Sequence, residues 1–99
     1  MMTKKIESNS FDPDQLKALI VYGRVDCHLC QNMILALKNL QEQVSFDFQV
    51  IDIDSSPELV ALYGEKIPVL VSLTNHQEQE ICHYFLDLAA FDDYLAKIR

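Results

Sequence analysis

Hydrophobic and polar positions along this chain repeat with two different periods, and the places where the period changes mark its elements. Leu19-Ile20-Val21-Tyr22 is an unbroken apolar run ended by Gly23, the pattern of a short strand buried on both faces. From Cys30 onward the apolar residues fall at Met33, Ile34, Leu37 and Leu40, while Gln31, Asn32, Lys38 and Gln41 lie off that stripe. This helical spacing predicts a first helix from about Cys27 to Gln41. Phe46, Phe48 and Val50 then alternate with Asp47 and Gln49, and Ile51 and Ile53 extend the run, so a second strand is expected there.

A strand, a helix and a strand joined by short connections form a unit whose two strands are parallel and whose crossover is right-handed. Ser56-Pro57-Glu58 reads as an N-cap, a first helical proline and a first-turn acid, with Gly64 as the stop of a short helix through Leu59, Val60 and Tyr63. A third strand from Pro68 to Leu73 meets a fourth, about Glu80 to Phe85, across a polar turn near Thr74 to Gln77. Asp87 is placed to cap a last helix that carries Leu88, Phe91, Leu95 and Ile98 on one face. Residues 1–15 are polar apart from Phe11 and a few others and read as a tail or lead-in, leaving residues 16–99 as the folded domain. The predicted order is β-α-β-α-β-β-α, an α/β domain with helices for both faces of one mixed four-stranded sheet.

Composition narrows the function. With 99 residues, 49% hydrophobic and 23% charged, the chain suits one compact domain. Fifteen acidic residues against eight basic ones give a formal charge of -7, a field that repels phosphate backbones, so no nucleic-acid partner is expected. The start, with Lys4 and Lys5, runs into polar residues rather than the apolar stretch of a signal peptide, and no segment has the length of a membrane span. The expected compartment is the cytoplasm, with no membrane partner.

Three cysteines are an odd number for a disulfide framework, and two of them form Cys27-His28-Leu29-Cys30. A Cys-x-x-Cys that opens a helix directly after the first strand of a βαβ unit is the placement of a thioredoxin-like redox motif. Unpaired N–H groups and the positive end of the helix dipole favour a thiolate at Cys27, and Arg24, His28 and Lys66 are candidate cations beside it. Asp26 opposes a thiolate if it points inward and is therefore expected to face solvent. Cys27 is then the attacking thiolate, and Cys30, one turn in, the resolving thiol.

The competing reading is a zinc half-site, which needs two more ligands from Cys82, His28, His76 and His83; with no second Cys-x-x-Cys, no metal is expected. Cys82 reads as a small packing residue beside Ile81, and Phe46, Phe48, Phe85 and Phe91 as core.

The motifs, taken together, resemble the glutaredoxin-like proteins of the thioredoxin superfamily over about residues 17–97. The likeness rests on Leu19 to Tyr22, Arg24, the Cys-His-Leu-Cys motif, Val50 to Asp54, Tyr63 to Leu70 with Ile67-Pro68, and Ile81-Cys82-His83. It implies a thioredoxin-like, glutaredoxin-type fold and a cis Ile67–Pro68 peptide beside Cys27, with Ile67 offering backbone groups to an incoming chain. It also implies that Arg24 occupies the place of a cation that clamps a glutathione carboxylate; the alternative for Arg24, as for His28, is a solvated surface side chain.

The chain departs from the family at Lys66, where glutaredoxins usually carry Thr-Val-Pro rather than Lys66-Ile67-Pro68. It departs again at Tyr84-Phe85, where they carry a Gly-Gly pair that binds glutathione's other end. The implied activity is thiol-disulfide exchange on a protein disulfide or a glutathione mixed disulfide by a monomer with no bound cofactor, glutathione serving as co-substrate. A binding module without turnover and a metal or iron-sulfur carrier using Cys27 across a dimer are the other readings.

Overall fold

The computed structural model describes residues 17–74 and 77–98. Among these the elements are β1 (Lys17–Gly23), α1 (His28–Leu40), β2 (Gln49–Asp52), α2 (Pro57–Tyr63), β3 (Val69–Thr74), β4 (Gln77–His83) and α3 (Leu88–Ile98), with a 3-10 turn at Ile53–Ser55. The expected tail at residues 1–15, Asn75 and His76 of the hairpin turn, and the Ile98 side chain lie outside the described residues. The sheet order is β2-β1-β3-β4, with β1 parallel to β2 and antiparallel to β3, and β3 antiparallel to β4.

Helices cover both faces of the sheet at β1, which is why its sequence is apolar on both faces. Leu19 and Val21 join Met33 and Leu37 of α1, Phe91 and Leu95 of α3, and Leu70 and Cys82 on one face of the sheet. On the other face Ile20 and Tyr22 join Ile53, Val69 and Val71, with Leu59, Val60 and Tyr63 of α2 packed against them. Burying each large apolar side chain contributes about 1.5–3 kcal/mol, so these two layers hold β1, and whatever follows it, in a fixed place. Cys82 is a member of the first cluster, as packing requires, and burial pushes its thiol pKa up.

Three expectations are corrected. First, β2 covers only Gln49–Asp52, because its ladder is the parallel pairing of Ile20 to Gly23 with Gln49 to Asp52. Phe46 and Phe48 precede it in a loop and bury their rings partly against the α1 and α3 side, so their alternation reflects tertiary packing and not strand pairing. Second, β4 is Gln77–His83 and ends before Phe85: Tyr84 has a φ of 66°, which turns the chain out of the ladder and leaves Phe85 68% exposed rather than in the core. Third, Leu88 is 56% exposed, since α3 reaches the core only from Phe91 onward.

One irregularity in β4 governs where its side chains go. Leu70 pairs with Cys82 but Val71 pairs with Glu80, so Ile81 is an extra residue, a β-bulge. Beyond it Glu78 and Glu80 turn toward the α2 side of the sheet, where they meet Tyr22, Tyr63 and Lys66.

Candidate active site

The polypeptide leaves β1 at Gly23, turns at Val25 and Asp26, and enters α1 through Cys27 as N-cap. Cys27 has extended backbone angles (φ -96°, ψ 115°), its carbonyl accepts from Gln31 N at 3.0 Å, and its Sγ accepts from the Cys30 backbone N–H at 3.2 Å. The sulfur thus takes the place that a serine or aspartate oxygen usually holds at a helix start, and satisfies one of the orphan N–H donors. The sulfur therefore sits at the positive end of the helix dipole.

Cys27 is half-buried, whereas Cys30 is 1% exposed and its Sγ lies against Gly23. Burial, followed by the hydrogen bond with Cys27, pushes the Cys30 thiol up to about 11. At neutral pH Cys30 is therefore a protonated thiol held beside a reachable sulfur. Asp26 is exposed, as expected for a carboxylate that does not oppose a thiolate, and His28 is exposed on the first turn of α1.

The Ile67–Pro68 peptide is cis, and Pro68 is buried. Tyr22 pairs with Val69, so the same antiparallel register sets Pro68 beside Gly23, the residue on which Cys30 packs. The cysteine pair and the cis-proline therefore meet at the C-terminal end of β1. The loop that carries Pro68 is braced from β4 and the turn after it. Lys66 Nζ donates to Glu80 Oε1 at 2.5 Å, Tyr84 N donates to Pro68 O at 2.8 Å, and Tyr84 OH donates to Glu65 O at 2.7 Å.

Just upstream, the stacked rings of Tyr22 and Tyr63, 4.6 Å apart, both donate to the Glu78 carboxylate, at 2.6 and 3.0 Å. Burial, with Glu78 adding, raises the pKa of both tyrosines, so they stay neutral donors. Glu80 also meets His83 Nδ1 at 2.7 Å, and its hydrogen bond from Lys66, with that of His83, holds its carboxyl below the usual range.

Of the sequence-predicted residues, Cys27, Cys30, Ile67 and Pro68 come together at this end of β1. Of the three candidate cations, two are already paired, Arg24 Nε with Asp54 Oδ1 at 3.1 Å and Lys66 with Glu80, and His28 is exposed on α1. Gly23 and Glu80 carry parts of the site that the sequence did not assign to it, while Tyr84, which the sequence set at the place where glutaredoxins bind glutathione's other end, braces the cis-proline loop. Gly23 had a signal, being one of two glycines in the chain and standing between a strand and the cysteine motif; the role of Glu80 depends on the bulge. Among the described residues no cluster of three or more histidine, cysteine or acidic side chains could hold a metal ion.

A mixed four-stranded sheet with helices on both faces, a Cys-x-x-Cys at the head of α1 and a cis-proline opposite it define a protein of the thioredoxin-like fold. Thioredoxin from Fasciola hepatica, 15% identical, shares this fold with a TM-score of 0.62 over 84% of this chain and 81% of its own. The glutaredoxin-like domain model (DUF836) matches residues 18–96, and the chain belongs to that family.

Protein Ne2328 from Nitrosomonas europaea is 38% identical, with a TM-score of 0.69 over 94% of this chain and 98% of that one. Protein XcR50 from X. campestris is 29% identical, with a TM-score of 0.59 over 81% and 97%. A comparison with curated proteins gave no match. The fold together with the Cys27–Cys30 pair supports a redox-type function.

Proposed function

We propose that the protein is a dithiol-disulfide oxidoreductase. The observation that carries this reading is the asymmetry of the pair: a reachable Cys27 sulfur at the helix N-cap, and a buried Cys30 thiol one turn behind it. The Cys27 thiolate attacks one sulfur of a substrate disulfide, forms a mixed disulfide with it and expels the other sulfur, which takes up a proton. Cys30 then gives up its proton and attacks the Cys27 sulfur, releasing the substrate's second thiol and leaving a Cys27–Cys30 disulfide. The substrate gains two electrons and the cysteine pair loses two; a thiol reductant, glutathione or a protein dithiol, restores the pair.

The raised pKa of Cys30 fits its place in this order, because it keeps the resolving thiol inert until Cys27 is engaged. Such chemistry belongs in a reducing compartment, and the cytoplasm is the proposed location. Among the described residues no helix is long and apolar enough to cross a membrane.

The test is reduction of 2-hydroxyethyl disulfide by the purified protein, with regeneration by a dithiol. Wild type is expected to turn over and Cys27→Ser to be inactive; equal activity of the two defeats the proposal. A binding module without turnover is the second reading, favoured by the Tyr84 ring, whose hydroxyl is tied to the cis-proline loop. It predicts no reduction by a folded wild type.

A further inference from the structure

On the flank of Cys30 away from Pro68 the surface opens into a cavity of about 290 Å³, lined by Gly23, Val25, Cys30, Ile34 and Val50, with Arg24, Gln31 and Asp52 at its polar edge. Its position follows from the sheet order: β3 and Pro68 lie on one side of β1, while β2, with Val50 and Asp52, lies on the other. Val25 is 79% exposed and Val50 51%, so the two apolar lips stand in water. Neither belongs to the two core clusters, and Cys30 lines the same cavity.

Size and charge select the occupant. The volume lies at the lower limit of small-molecule pockets, which run from about 300 to 1,000 Å³, and has room for a large aliphatic side chain. The polar groups around it do not suit an anion. Arg24 is charge-paired with Asp54 through its Nε, and Gln31 Nε2 donates to the Val25 carbonyl at 3.0 Å. Asp26 and Asp52 are exposed beside that ion pair, in a chain of formal charge -7. Glutathione, with two carboxylates, meets a net negative field here, because Asp26 and Asp52 remain after Asp54 balances Arg24, whereas a basic polypeptide meets a complementary one.

Resting on the oxidoreductase reading, we infer that the substrate is a basic polypeptide disulfide in which a large aliphatic side chain beside the reacting cysteine seats between Val25 and Val50. While Cys27 holds the substrate sulfur in the mixed disulfide, the seated side chain fixes the direction in which the substrate chain leaves the site. Cys30 attacks the Cys27 sulfur as before, and no further reactant is needed.

The experiment uses disulfide-linked peptides that differ only in the residue next to cysteine, leucine or serine, each made with flanking lysines or flanking glutamates. Wild type is expected to favour leucine over serine by at least about tenfold in kcat/KM, the scale on which a hydrophobic pocket discriminates. It is also expected to favour lysine over glutamate, with a preference that shrinks as salt rises. In Val50→Asp the leucine preference is expected to fall below about threefold.

Binding gives a second readout. A leucine peptide carrying serine in place of its cysteine is expected to shift the amide resonances of Val25, Ile34 and Val50 in wild type. Equal turnover of leucine and serine peptides, an undiminished preference in Val50→Asp, or shifts confined to the Pro68 side each overturn the inference. If wild type reduces neither the peptides nor 2-hydroxyethyl disulfide, the oxidoreductase reading itself has failed.

Discussion

The sulfur of Cys30 rests on the α-carbon of Gly23, and a methyl group added there would lie 2.7 Å from it. The last residue of β1 and the resolving thiol are thus fitted to each other, and the strand end is part of the site.

Gly23→Ala is expected to destabilise the protein by about 1–3 kcal/mol, the usual cost of overpacking, because the close atom belongs to a short, buried side chain with little room to move. It is also expected to change the reduction potential, since Cys30 must move relative to Cys27. Urea unfolding of the reduced protein and equilibration with defined glutathione buffers check the two effects; a variant of wild-type stability and potential would contradict the fit.

Removing the second thiol should stop the exchange midway. Cys30→Ser is expected to accumulate a mixed disulfide through Cys27, seen by mass spectrometry after exposure to a disulfide and lost on adding dithiothreitol. An adduct on Cys82 instead would reassign the reactive sulfur, although Cys82 is buried and its thiol is pushed up.

The Cys30 thiol makes stability depend on alkaline pH in a predictable sense. Its folded pKa, about 11, lies above the ordinary thiol value of about 8.5, so the folded chain holds the proton more tightly than the unfolded one. The resulting stabilisation is complete below the unfolded value and is lost as pH rises through the folded one. Reduced wild type and Cys30→Ala, unfolded by urea at about pH 7 and about pH 10.5, are expected to show a stability gap that narrows at the higher pH.

Glu80 acts with the opposite sign. Its pKa is lowered, first by Lys66 and with His83 adding, so its contribution is present above the ordinary glutamate range and is lost as pH falls through the folded value. Both partners are partly solvated, so Glu80→Gln is expected to cost less than about 1 kcal/mol at neutral pH while flattening the acid side of the stability profile. Acid titrations of both proteins followed by circular dichroism test this.

Asp87 Oδ1 accepts from Ala90 N at 3.1 Å and caps α3, so Asp87→Ala is expected to cost about 1 kcal/mol. Thermal unfolding provides the measurement, and an unchanged midpoint would mean that α3 is held by Phe91 and Leu95 alone.

The parts of the fold legible in the sequence were those where one local pattern and one tertiary need agree. Leu19 to Tyr22 are apolar on both faces because helices cover both faces of the sheet at β1, and Met33 and Leu37 follow the helical period because α1 buries one stripe. Cys27 and Cys30 were legible as outer and inner sulfur because a helix start exposes one position and buries the next turn. Phe46 and Phe48 misled because two partly buried rings two residues apart in a loop mimic a strand. Phe85 misled because nothing local announces that Tyr84 takes a positive φ. The pairing of Arg24 and Lys66 with Asp54 and Glu80 joins residues far apart in sequence, and only the folded sheet brings them together.

The extra residue at Ile81 works as a phase shifter for the outer half of β4. If Ile81 paired with Val71 instead of bulging out, Glu80 would fall opposite Ser72 and Glu78 opposite Thr74, and both carboxylates would turn to the side of the sheet that α1 and α3 cover. Tyr22, Tyr63 and Lys66 would lose their acceptor in one step, and with them the bracing of the cis-proline loop. A one-residue slip in the pairing of the outermost strand would therefore be felt two strands away, at the thiols.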